Sequence, residues 1–124
     1  MILSDYYYSI KSQQTKAQVA IFDVTLLPNC SVYKGHFPGT PVAPGVFNIR
    51  MIMECVERIT GKPILLESIT QCKFITMITP LQNKELQIRI ETTEIADNKF
   101  KLIASVGKDE SDYMILKGEF AFVH

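Results

Sequence analysis

Hydrophobic and polar positions change their period along the chain, and each change marks a boundary. Residues Tyr6–Ser12 and Lys16–Leu27 read as strands, the second through Val19, Ile21, Val24 and Leu26. The polar Ser12-Gln13-Gln14-Thr15 between them reads as a turn, and Pro28-Asn29 ends the second strand. From Pro44 to Ile59 the period becomes helical: Val46, Ile49, Met53 and Val56 recur at spacings of three and four, and Ile52 with Ile59 widens the stripe. Pro44-Gly45 suits a helix start, and Gly61 followed by Pro63 a helix stop. Four strand-like stretches follow, Ile64–Ile78, Glu85–Ile95, Lys99–Gly107 and Asp112–Val123, two of them with clean alternation: Leu86, Ile88, Ile90 and Phe100, Leu102, Ala104, Val106. Short turns between them predict an antiparallel meander. The expected class is α+β, with one sheet curled around one long apolar helix as a single domain over residues 1–124.

Composition narrows the function. A hydrophobic fraction of 47% with 21% charged residues excludes a disordered chain. Thirteen basic residues balance thirteen acidic ones, so the basic excess of a general nucleic-acid binder is missing and association between copies is unopposed by charge. No stretch reaches the roughly 18 apolar residues that span a bilayer, and the first residues lack the basic region of a secretory signal. Three cysteines (Cys30, Cys55, Cys72) at wide spacings support neither a disulfide framework nor a zinc site, so a reducing cytoplasm is the expected compartment. Two histidines are too few for a His-based metal centre, and no phosphate loop or dinucleotide fingerprint is present, so neither a metal nor a cofactor is expected.

The remaining punctuation is concentrated in one place. Six of the twelve Gly and Pro residues fall between Gly35 and Gly45, around His36. The segment Gly35-His36-Phe37-Pro38-Gly39-Thr40-Pro41-Val42-Ala43-Pro44-Gly45-Val46 reads as a rigid loop that feeds a helix N-terminus. Helix N-termini present free backbone N–H groups and the positive end of the dipole, which suit a carbonyl or an anionic oxygen. An imidazole beside such donors is the layout for removing a proton α to a carbonyl.

This segment resembles the HFPG-x-P-x-x-PGV motif of the FabZ/FabA-type 3-hydroxyacyl-[acyl-carrier-protein] dehydratases, which are hotdog-fold proteins, and the element order carries the resemblance over nearly the whole chain. The Lys73-Phe74 pair in the strand after the helix also matches. The resemblance implies a sheet wrapped around the central helix, pairing with a second copy, and sites at the dimer interface fed by both chains. It implies a 3-hydroxyacyl thioester substrate on acyl carrier protein or coenzyme A, and a homodimer or trimer of dimers. It implies that His36 exchanges the proton and that the backbone N–H of Gly45 binds the thioester carbonyl. Phe37, Pro38, Gly39 and Val46 of the motif are then expected to border the substrate.

One position departs from that pattern. The family's helix carboxylate lies fourteen residues after the motif histidine, and that position is Arg50. A guanidinium does not donate its proton near neutral pH. The nearest carboxylate is Glu54, one turn on and on the same helix face. Three readings follow. Glu54 stands in as the second acid, with Arg50 orienting it or meeting the substrate, and the chain dehydrates 3-hydroxyacyl thioesters in fatty-acid or specialised lipid and polyene synthesis. Alternatively, the chain is a weakly active or non-catalytic subunit that binds an acyl carrier or a partner, with Arg50–Glu54 an ordinary ion pair. A third reading is an acyl thioesterase, in which His36 or Glu54 activates water. Lys34 and Lys73 are candidate contacts for an acidic carrier. Cys55 and Cys72 read as small buried hydrophobes, and Tyr6-Tyr7-Tyr8 as a strand alternating between core and surface.

Overall fold

Along β2 (Val19–Leu26) every second side chain, Ala20, Phe22, Val24 and Leu26, is buried, which gives the sheet its inner face. The computed structural model describes residues 2–123. β2 forms a hairpin with β1 (Tyr8–Lys16), and Lys16 pairs with Val19 across a turn in which Ala17 has φ 56°. The turn expected at Ser12–Thr15 is therefore strand: Ser12 pairs with Asp23 and Thr15 with Ala20. Those residues are polar because β1 is an edge strand whose side chains from Lys11 onward are exposed. Tyr7 precedes the strand, in a tight turn where the N–H groups of Tyr6 and Tyr7 both donate to the Leu3 carbonyl (3.0 and 2.8 Å). Tyr7 and Tyr8 consequently both enter the core, while Tyr6 stays outside, and the expected alternation does not occur.

The one α-helix among the described residues, α1, spans Gly45–Thr60 with Pro44 as its cap. It stops at Gly61, which takes the left-handed conformation (φ 72°) and returns its N–H to Glu57 O at 2.8 Å. Its buried face is Asn48, Met51, Ile52, Cys55 and Val56. This is rotated from the expected stripe: Val46 is 72% exposed, and Ile49, Met53 and Ile59 are half-buried. The helix is apolar on two sides, so periodicity alone does not choose the inner one.

The other strands are β3 (Ile64–Phe74), β4 (Glu85–Ala96), β5 (Lys99–Lys108) and β6 (Ser111–Phe122). The five strand-to-strand pairings are antiparallel, in the order β1-β2-β4-β5-β6-β3. Only β4, β5 and β6 form the expected meander. β3 pairs with β6 at the far edge, and the chain returns through residues 75–84 to place β4 beside β2. Inward side chains of the central strands, among them Phe22, Ile88, Leu102, Val106, Leu116 and Phe120, close over the buried face of α1. Cys30 and Cys55 lie in this core, whereas Cys72 is exposed on edge strand β3 and not buried as expected.

From Glu67 to Phe74 every residue of β3 is exposed. Leu65, Ile69 and Phe74, with Ile75 and Met77 just beyond, leave an apolar edge uncovered. Among the described residues, no helix is long and apolar enough to cross a membrane.

Candidate active site

The loop between the 3-10 turn Ser31–Lys34 and α1 is tied to itself around His36. Val42 N–H donates to His36 O (2.9 Å), and His36 Nδ1 lies 3.0 Å from Val42 O. A carbonyl only accepts, so Nδ1 carries the proton and Nε2 keeps its lone pair. The Phe37 ring stacks on the imidazole at 4.3 Å, and Phe37 and Thr40 exchange backbone hydrogen bonds around the turn at Gly39. Ala43 N–H donates to Ile78 O (2.7 Å), which fastens the loop to the segment leaving β3. The imidazole is thus held by one backbone carbonyl and by the stacked Phe37 ring, with one nitrogen left to act as a base.

A cavity of about 360 Å³ opens between these two segments. His36, Val42, Ala43, Gly45 and Asn48 form one side, and residues 74–78 form the other. Gly45 stands at the first position of α1, where backbone N–H groups have no helical acceptor. Its lack of a side chain matters here, because a Cβ would sit 2.6 Å from the Phe74 ring. The cavity therefore combines a free imidazole nitrogen, a helix N-terminus and apolar walls.

Asn48 is the one polar residue in the buried core among those described, at 2% exposure. It lies one turn below Gly45 and also lines the cavity. Tyr7 Oη donates to its Oδ1 at 2.6 Å. No acceptor within the described residues engages its amide nitrogen. Burial raises the Tyr7 hydroxyl pKa above its ordinary value and pushes that of neighbouring Tyr33 up to about 12. At neutral pH the Tyr7 hydroxyl is a donor with its proton in place.

Glu54 belongs to a different cluster, further along α1. Its Oε2 accepts from Leu3 N–H (2.7 Å) and faces Arg50 Nε at 3.4 Å; its Oε1 accepts from Ser4 N–H and Tyr8 Oη, both at 3.0 Å. The side chain is 9% exposed. Arg50 also reaches Glu57 Oε1 at 3.8 Å. Glu54 thus pins the N-terminal turn to the helix, and four donors occupy its two oxygens.

The chain is similar to known proteins over most of its length. A family model described as ApeI-like, ApeI dehydratase, matches residues 11–113. The chain is 35% identical over 108 residues to the 3-hydroxyacyl-[acyl-carrier-protein] dehydratase FabZ of Wolbachia pipientis wMel, covering 82% of this chain and 74% of that one. The chain belongs to the ApeI-like dehydratase family. Among solved structures it is similar to the dehydratase heterocomplex ApeI:P from Xenorhabdus doucetiae, with TM-score 0.72 and 21% identity over 90% of this chain and 96% of that one. It is also similar in fold to a mutant of the fluoroacetyl-CoA-specific thioesterase FlK, with TM-score 0.69 and 13% identity over 92% and 91% of the two chains. The fold is the hotdog, and the ApeI-like family makes the chain a dehydratase-type lyase.

Within this chain, the structure brings His36 and Gly45 together and leaves Glu54 and Arg50 outside their cavity. Phe37, Pro38 and Gly39 border a second opening with Cys30, Tyr33 and Lys34. Val46 projects into solvent. The sequence pattern singled out Phe74 but neither Asn48 nor the rest of the wall at residues 75–78. A signal for Asn48 was present: it is three residues after Gly45, so it shares that helix face, and it is the lone uncharged polar residue in Gly45–Met53. Among the described residues, no group of three His, Cys, Asp or Glu side chains converges on a metal position.

Proposed function

We propose that the chain dehydrates 3-hydroxyacyl thioesters carried on acyl carrier protein to trans-2-enoyl thioesters, in the building of fatty-acid or specialised lipid and polyene chains. The observation that carries this reading is the His36 imidazole, held by Val42 O through Nδ1 and free at Nε2, beside a cavity that the N-terminus of α1 closes. The thioester carbonyl accepts from the Gly45 N–H. His36 Nε2 takes a proton from C2, and the electron pair moves toward that carbonyl. The pair then returns to form the C2–C3 double bond as the C3–O bond breaks. The departing oxygen takes the proton from His36 Nε2 and leaves as water, which restores the neutral imidazole.

The uncovered edge of β3 supports a two-chain assembly. Residues 74–78 form a wall of the cavity and continue directly from that edge, so a strand added to β3 would border the site. Either a second copy or a related hotdog subunit fits this role. The likeness to a dehydratase heterocomplex gives the second arrangement a specific basis. The thioesterase reading has less support, because Glu54 is occupied by its four donors.

The test is hydration of crotonyl and longer enoyl thioesters on pantetheine and on acyl carrier protein, followed by loss of enoyl absorbance. The expected result is turnover without thiol release. His36→Ala is expected to lower it by about a hundredfold or more with the melting temperature unchanged. Release of free thiol would identify a thioesterase. Neither signal, with retention of carrier or of a partner chain, would identify a binding subunit.

A further inference from the structure

An elimination of water needs a third element besides a base and a carbonyl stabiliser: something must hold the C3 oxygen in line as its bond breaks. Within this chain the cavity offers a short choice, because its polar side chains are His36, Asn48 and Thr76. His36 is committed to the proton. Thr76 lies on the exposed segment beyond β3. Asn48 is only 2% exposed, and Tyr7 Oη at 2.6 Å takes its carbonyl oxygen. That bond decides which end of the amide is left. The remaining polar atoms are the N–H pair, which are donors. A breaking C–O bond collects negative charge on oxygen, so a fixed donor is the right partner.

Resting on the proposed dehydration, we propose that Asn48 binds the substrate's C3 oxygen through its side-chain N–H, with Tyr7 as the positioning residue that fixes the amide's orientation. Asn48 has no proton to give, so the proton on the departing water comes from His36. A dehydratase built this way takes one acid–base side chain, His36, from this chain into its site. Its kcat/KM for hydration follows a single limb set by His36, whereas a second, carboxylic acid would produce a bell.

The experiment separates binding of the hydroxyl from turnover. In a His36→Ala background, binding of 3-hydroxyoctanoyl-pantetheine is compared with that of octanoyl-pantetheine. The expected preference for the hydroxylated ligand is about 3- to 10-fold, the value of one uncharged hydrogen bond. Adding Asn48→Leu is expected to bring the ratio to about one. A ratio unchanged by Asn48→Leu overturns the proposal. If Asn48→Leu does not fold, Tyr7→Phe decides instead, since it keeps the amide and removes only the group that orients it. A preference as large as with Tyr7 intact then overturns the assignment.

The wild-type chain supplies the other arm. Hydration that requires His36 yet runs at full rate in Asn48→Leu, or that follows a bell-shaped pH profile, leaves the dehydratase reading standing and removes Asn48. Absence of hydration alongside an Asn48-dependent hydroxyl preference removes the dehydratase reading and keeps Asn48.

Discussion

Two consecutive tyrosines serve two polar clusters on one helix, and the clusters differ in how complete they are. Tyr8 donates to Glu54, whose oxygens also meet Leu3 N–H, Ser4 N–H and Arg50. Tyr7 donates to Asn48, whose other end faces a cavity with no protein acceptor among the described residues. Both are charged or polar groups at the edge of the core, and sequence gives the carboxylate the stronger claim to chemistry. Hydrogen-bond completion reverses that ranking. A group with every site filled is part of the scaffold, and a buried group with donors left over beside an open cavity is equipped for a ligand.

The comparison breaks most sharply at Glu54. Glu54→Leu leaves two backbone donors, a phenol and a guanidinium without their shared acceptor. The expected loss is roughly 3 kcal/mol of folding stability, discounted for the partial exposure of Arg50. Urea denaturation measures it, and hydration per folded molecule is expected to hold. A fully stable but inactive variant would return Glu54 to the chemistry.

Alkaline titration probes a group beside each cluster at once. Burial pushes Cys55, next to Glu54 and Tyr8, from 9.0 up to about 12. It pushes Tyr33, next to Tyr7, from 10.0 up to about 12. Both groups hold their protons to higher pH when folded than when unfolded. Above pH ~9 the unfolded chain therefore binds fewer protons, and stability falls as pH rises. The contribution is complete below about pH 9 and is lost by about pH 12. Urea midpoints taken across that range are expected to decline steadily, and a flat profile would show that both groups are solvated.

The smallest effect sharpens the contrast between the tyrosines. Tyr8→Phe removes one of the Glu54 donors and is expected to cost about 1 kcal/mol with hydration unchanged. The corresponding change at Tyr7 acts on the cavity, so the two variants should divide between stability and ligand preference. Equal effects on hydration would merge the clusters into one site.

Much of the scaffold is legible in one dimension. The alternation in β4 and β5 and the stop at Gly61 appear where the side-chain pattern puts them, because both depend on neighbours a few residues away. The density of Gly and Pro around His36 likewise marks the loop. The errors share a physical origin. Ser12–Thr15 looks like a turn when polarity is read as loop, whereas an edge strand exposes polar residues for the same energetic reason. The helix stripe is rotated because α1 has apolar residues on two sides, and only contact with the sheet selects Met51, Ile52, Cys55 and Val56.

The sequence by itself determined the helix, the alternating strands β4 and β5, the His36 loop and its delivery into a helix N-terminus, since those follow from local backbone chemistry. The tertiary structure decided which polar groups became scaffold and which remained available. Glu54 was claimed by Leu3 and Ser4 from about fifty residues away, and Asn48 was oriented by Tyr7 across a similar separation. A hydrogen bond is short-ranged and directional, so its partner is set by how distant segments pack, and no local pattern of residues encodes that pairing.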